Sequence, residues 1–250
     1  IASLNGLSVF LKIAVGLLTS KVISHVLGAP GMALTGNFRN FLTAVESFAT
    51  LGFQNGIVKY SAEAQDEKAI RKLLSTVVFF LTITTVVLMG VLGLTAARWS
   101  ALVFAGDEQF SFVMLALALC LPWYVASMLL VAVLNGFGKF RDVIRINIGG
   151  NLLGAFLSVL LIFRYEIDGA LLAMVLAPAL QFFITLFFIR GTIHYKQISI
   201  GAVCGSTATK LAEYSAMALT AAAGGAGVFL LIRNHVIDTA GAAEAGWWEG

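Results

Sequence analysis

The sequence predicts an all-α polytopic membrane protein with about seven transmembrane helices. Three observations carry this expectation. Of 250 residues, 59% are hydrophobic and only 12% are charged, with a mean hydropathy of +0.93, whereas a soluble domain carries roughly a quarter charged residues. The apolar residues gather into runs of about 20, the length that crosses a hydrocarbon core ~30 Å thick as a helix. Lysine and arginine concentrate in every second connection between those runs, following the positive-inside bias of membrane proteins.

The spans are expected at Ser3–Val26, Gly31–Phe53, Leu73–Ala97, Phe110–Leu134, Val143–Phe163, Gly169–Ile189 and Leu211–Ile232. The first two are unusual, because the first carries Lys12 and Lys21 and the second carries Arg39 and Glu46. At ~1.5 Å rise per residue, Lys12 lies ~13 Å into the core, and Arg39, counted from the other side, reaches a similar depth. An ionisable group at that depth costs at least ~2.5 kcal/mol, so it faces a bundle interior or an aqueous cavity rather than lipid. Thr35, Arg39, Thr43, Glu46 and Thr50 fall at helical i+3/i+4 steps, and Asn5, Ser8, Lys12 and Thr19 nearly do the same, giving each helix one polar stripe. Lys21 lies half a turn off that face near an interface, where a lysine snorkels. Two readings stay open here. Arg39 and Glu46 form a structural ion pair two turns apart, or Lys12 and Arg39 form the cationic wall of a cavity, with one acid too few to neutralise them.

Between these spans, Val26-Leu27-Gly28-Ala29-Pro30-Gly31 reads as a tight turn, Pro30 breaking the helix and glycine permitting positive φ. Asn135-Gly136-Phe137-Gly138 reads as another. The polar stretch Gln54–Lys72 is either a short surface helix, with Glu67 and Arg71 spaced i,i+4, or a solvated linker. Gly150 and Gly154 form a GxxxG, for which helix packing is the expected role, as it is for Gly90 and Gly93. Pro122 and Pro178 mark kinks attributed to packing rather than gating.

Lys59, Lys68, Arg71, Lys72, Lys139, Arg141, Arg190, Lys196 and Lys210 fall in one set of connections, and Arg98, Arg164 and Arg233 in the other. This places the N-terminus in the cytoplasm. It also explains the net charge of +3 without a nucleic-acid partner. Cys120 and Cys204 provide neither a disulfide framework nor a metal-ligand spacing. His25, His194 and His235 sit near span ends and read as interfacial residues. Glu213 follows Lys210 at i+3, the spacing of an ion pair at the membrane edge. The sequence has no GxxxxGKS/T, HExxH, CxxC pair or GxSxG, so enzymatic chemistry has no support. The chain opens on Ile1 and closes on Trp247-Trp248-Glu249-Gly250, and both ends are expected to be cut. A faint echo of the first span's exit in the seventh suggests parallel six-helix repeats, residues 1–200 forming one lobe and 201–250 the start of a second.

Particular stretches then carry a resemblance. Leu11-Lys12-Ile13, Gly16-Leu17-Leu18, Leu27-Gly28-Ala29-Pro30-Gly31, Gly36-Asn37-Phe38-Arg39 and the run Leu51–Glu63 resemble the N-terminal region of bacterial polysaccharide flippases. Asn135–Asp142, Asp168–Leu172 and Gly246–Gly250 are also similar to that family. These are the Wzx-type translocases of O-antigen and enterobacterial common antigen, within the multidrug/oligosaccharidyl-lipid/polysaccharide exporter superfamily. The resemblance implies one six-helix lobe of a MATE-like two-lobe exporter plus the start of the second, in the bacterial inner membrane. It also implies alternating access that moves an undecaprenyl-diphosphate-linked oligosaccharide from the cytoplasmic to the periplasmic leaflet. Lys12, Arg39, Asn40 and Thr43 are then the expected contacts of the diphosphate headgroup, since guanidinium and ammonium donors suit phosphate oxygens. Glu46 is the candidate carboxylate for a coupling H+ or Na+, and no other cofactor is expected. The expected partners are the lipid-linked oligosaccharide, membrane lipids and other polysaccharide assembly proteins.

Three alternatives stand beside this expectation. A cation-coupled multidrug exporter of the same superfamily should prefer an anionic, aromatic-lined cavity, which Lys12 and Arg39 oppose. A glycosyltransferase or polymerase needs acidic groups in a large outer loop, and the longest outer connection runs only from Arg98 to Gln109. A non-transporting scaffold of the assembly machinery would use the polar stripes for helix packing alone.

Overall fold

The computed structural model describes residues 2–64, 66–104, 106–190 and 205–240. All regular structure among them is helical: α1 (Ala2–Ala49), α2 (Gln54–Glu63), α3 (Glu67–Leu94), α4 (Ala96–Val103), α5 (Ser111–Gly136), α6 (Phe140–Ile189) and α7 (Gly205–Ala240). The expected lobe boundary at residue 200, His194, Cys204 and the terminal Trp-Trp segment lie outside the described residues, as does the Lys210 side chain.

Helices of 48 and 50 residues would reach more than ~70 Å if straight, over twice the hydrocarbon thickness. Both therefore reverse. α1 breaks at Gly28, whose φ of 67° and ψ of −167° suit a residue without Cβ. α6 breaks at Glu166, with φ 50° and ψ −121°, a conformation that strains any residue but glycine. Gly169 completes that second reversal, for a Cβ there would strike the Leu161 carbonyl. The limbs of α6 lie antiparallel, with Gly149 facing Ile184, Gly150 facing Gln181 and Gly154 facing Ala177. The GxxxG thus packs one limb of a hairpin against the other, as expected from sequence. The reversals lie at one end of the molecule, where Ile23, Ile162 and Ala170 share a small core with Val26, Leu27 and Met32.

Counting each hairpin as two spans, α1, α3, α5 and α6 provide six, and all four helices are long and apolar enough to cross a membrane. α7 supplies the seventh long helix. α5 is the hub, touching α1, α2, α3, α4 and α6. It buries Val113, Met114, Leu117, Leu121, Val125, Val133 and Leu134 in the main core. Phe10, Leu17, Phe156, Phe163 and Phe187 are exposed instead, forming an apolar exterior of the kind that faces lipid.

Two short helices depart from the expected outline. α3 ends at Leu94, and residues 96–103 fold as α4 rather than continuing the span. Phe104, just past α4, packs its ring at a tilt against Phe38 and Phe110, with ring centres 5.8 Å and 4.7 Å away. Ser100 donates to the Asp107 carbonyl at 2.7 Å, closing the turn that follows. In the Gln54–Lys72 stretch the helix is Gln54–Glu63, while Glu67 and Arg71 belong to the first turns of α3. α2 is packed rather than a solvated linker, burying Gly56, Ile57 and Ser61.

α7 seats on α2 and the turn that precedes it. Ala218 lies over Gly52, and Leu211 and Tyr214 lie over Gly56. Lys59 donates to the Tyr214 hydroxyl at 3.1 Å and stands 5.7 Å from its ring centre. That hydrogen bond holds the ammonium pKa above the ordinary lysine value.

Candidate functional site

The largest polar cavity lies where the two hairpins face each other. About 380 Å³ in volume, it is walled by Val15, Gly16, Thr19 and Ser20 from the first limb of α1 and by Arg39 from the second. The first limb of α6 adds Gly150, Asn151, Gly154, Ala155 and Ser158, and the second adds Ala177, Pro178 and Gln181. Its depth follows from the reversals. Arg39 stands 11 residues beyond Gly28, or ~16 Å, and Asn151 and Gln181 each stand 15 residues from Glu166, or ~22 Å. The cavity therefore opens near the middle of the spans.

Arg39 is the one ionisable residue in this lining. No carboxylate neutralises it, since the sole ion pair among the described residues joins Arg145 and Asp142, at 3.4 Å. The ion-pair reading of Arg39 with Glu46 is therefore overturned. Glu46 instead accepts a hydrogen bond from the Tyr124 hydroxyl of α5. Those two groups share a second pocket with Cys120, Met174 and Pro178, of only about 10 Å³, room for at most one water. Pro178 borders both cavities. A proline removes one backbone donor and leaves the carbonyl of residue i−4 without its helical partner, here that of Met174.

The remaining expected contacts are placed less centrally. Lys12 is exposed, on the α1 face of Val15, Gly16 and Thr19 but one turn outside the lining. Thr43 donates to the Arg39 carbonyl at 3.0 Å, so its hydroxyl is turned onto its own helix. Thr35 and Thr50 do likewise, to Gly31 at 2.9 Å and Glu46 at 2.8 Å. Asn40 is half-buried with its amide nitrogen unpartnered, and does not line the cavity. Arg39 thus meets the cavity directly, Lys12 stands at its edge, and Asn40, Thr43 and Glu46 do not join them. Sequence reasoning missed Asn151, Ser158, Gln181 and Tyr124. The available signal was a hydrogen-bonding side chain inside an otherwise apolar span, which marks the first three as firmly as a charge would. An apolar groove of about 270 Å³ between α3 and α5 carries no charged residue. No cluster of His, Cys, Asp or Glu among the described residues is placed to hold a metal ion.

Comparisons with known proteins agree with this architecture. No family model matches the chain. The fold aligns with the MATE multidrug transporter DinF-BH in complex with R6G at a TM-score of 0.75 and 16% identity, covering 98% of this chain and 58% of that one. Another solved structure aligns at a TM-score of 0.72 and 14% identity, covering 97% of this chain and 56% of the other. In sequence, the lipid III flippases of Escherichia coli (strain K12) and Shigella flexneri are each 28% identical over 251 residues, 97% of this chain. The chain spans 59% of the length of these two flippases. The two hairpins that enclose Arg39 both fall within the matched region, as the alignment covers nearly the whole chain.

Proposed function

We propose that this chain supplies the first six-helix lobe of a lipid-linked oligosaccharide flippase in the bacterial inner membrane. Its substrate class is an oligosaccharide repeat unit, of O-antigen or enterobacterial common antigen type, carried on undecaprenyl diphosphate. The supporting observation is Arg39: a cation at mid-span, in a polar cavity, with no carboxylate partner among the described residues. Such a group is expensive in a membrane unless an anion uses it, and a guanidinium fork matches phosphate oxygens in pairs. Lys12, one turn outside the lining, adds a mobile second charge along the path of the headgroup.

Alternating access then exposes this cavity first to the cytoplasmic and later to the periplasmic leaflet. The N-terminus is cytoplasmic in this reading, which the lysine and arginine distribution supports. Glu46 with Tyr124 forms the proton-responsive element, sharing Pro178 with the substrate cavity. The likeness to a multidrug transporter fold keeps a drug-exporting alternative in play, but the cavity lining carries a cation and no aromatic side chain, a poor match to cationic drugs.

Reconstituting the full-length protein in vesicles separates the two. The flippase reading expects an undecaprenyl-diphosphate oligosaccharide to change leaflets, detected with an impermeant sugar-reactive probe, while a rhodamine-class cation is not moved. Movement of the cation with the glycolipid left in place overturns it.

A further inference from the structure

The cavity that holds Arg39 has a second, uncharged wall. Asn151 and Ser158 are seven residues apart on one face of the first α6 limb, and Gln181 faces them from the second limb. We infer that Asn151, Ser158 and Gln181 form a subsite for an uncharged sugar ring joined directly to the phosphate. This rests on the reading of Arg39 as the phosphate contact.

Arg39 is the one cation among all the lining residues and matches a single phosphate, so the part of the occupant that lies against the uncharged wall is neutral. The chemistry of the wall follows. Carboxamides and a hydroxyl each present both a donor and an acceptor, which is what the alternating hydroxyls of a sugar require. Among the described residues no protein hydrogen bond engages the Asn151, Ser158 or Gln181 side chains, the one bond to Gln181 being to its backbone carbonyl. Their capacity is therefore available to an occupant, in a setting where unmet polar groups are costly.

Backbone geometry makes room for this arrangement. A Cβ on Gly150 would stand 2.5 Å from the Gln181 Oε1 and 2.7 Å from its Cδ, so glycine at 150 is what lets the carboxamide occupy its place. A volume of about 380 Å³ sits at the low end of small-molecule sites, roughly 300–1,000 Å³. It suits a phosphate with one sugar rather than a whole repeat unit. No aromatic ring lines the cavity, so the sugar is read by hydrogen bonds and not by stacking.

Titrating the full-length protein in detergent with two probes, inorganic phosphate and a hexose 1-phosphate, tests this. The wild type should bind the hexose phosphate about tenfold more tightly, the sum of a few modest hydrogen bonds. Gln181→Leu and Asn151→Leu should each remove most of that preference while still binding inorganic phosphate, which also shows that the variants are folded. Arg39→Gln should lose both ligands. Equal wild-type affinity for the two probes, or an equal loss of both in the Leu variants, overturns the sugar subsite but leaves Arg39 as an anion contact. Wild-type protein that binds neither probe overturns the Arg39 reading and this one with it.

Discussion

Arg39 and Glu46 stand seven residues apart on one helical face, yet they face different pockets that share only Pro178. Arg39 opens into the cavity between the hairpins, and Glu46 points at Tyr124 in a pocket with space for one water at most. The charges themselves were legible in sequence, because an ionisable residue in an apolar run is conspicuous. Their separation was not, because it depends on where α5 and α6 press against α1. The threonine stripe misled for a related reason. In a helix, a threonine hydroxyl can return to the carbonyl four residues earlier, and Thr35, Thr43 and Thr50 all do so. This pairing makes a prediction. Tyr124→Phe, by leaving a buried carboxylate without its donor, should destabilise the protein by about 1–3 kcal/mol, read as a lower thermal midpoint in detergent. Glu46→Gln, which keeps an acceptor for Tyr124, should be milder. If Glu46→Gln instead damages the protein as much as Arg39→Gln does, the two residues are coupled after all.

Among the elements, the long spans were readable from hydropathy, and all seven expected segments coincide with helices. The short helices α2 and α4 were less visible, since segments of 10 and 8 residues carry no membrane-length signal and are specified by packing against α5 and the Phe38–Phe104–Phe110 cluster. The hairpin turns offer opposite tests of one principle. Gly28→Ala should cost about 1–3 kcal/mol, because alanine resists the backbone conformation there. Glu166→Gly should instead stabilise by about 1 kcal/mol, releasing strain at φ 50°. Thermal unfolding of both variants checks this, and a loss of stability in Glu166→Gly would show that its side chain supplies more than the backbone withholds. The GxxxG behaves unevenly as well. Gly150→Ala displaces the flexible end of the Gln181 side chain, which can swing into the cavity, and should cost about 0.5–1 kcal/mol, whereas Gly154→Ala meets only Ala177 at an ordinary 3.5 Å and should change stability by less than about 0.5 kcal/mol. Equal costs at both positions would mean that limb spacing alone, and not the seat of Gln181, governs the motif.

Across the whole molecule, two hairpins and the α3–α5 pair make one bundle, with α7 resting on α1, α2 and α3. The polar cavity opens between the hairpins, so it is a property of the assembled bundle and of no single helix. That is why the sequence disclosed Arg39 and the polar character of Asn151, Ser158 and Gln181 but not their juxtaposition, since these three become one wall only when α6 folds back on itself. The seam between α2 and α7 is also a whole-bundle feature, built on Gly52, Gly56 and the Lys59–Tyr214 hydrogen bond. The central claim is that Arg39 grips a phosphate in mid-membrane, and its most direct measurement is the flipping rate of an undecaprenyl-diphosphate oligosaccharide by full-length Arg39→Lys and Arg39→Gln proteins in vesicles. Loss of a charge-assisted contact predicts a rate reduced about 10- to 100-fold for Gln and a smaller but clear reduction for Lys, which keeps the charge and loses the fork. Wild-type rates in both variants, at equal amounts of folded protein, would contradict the account.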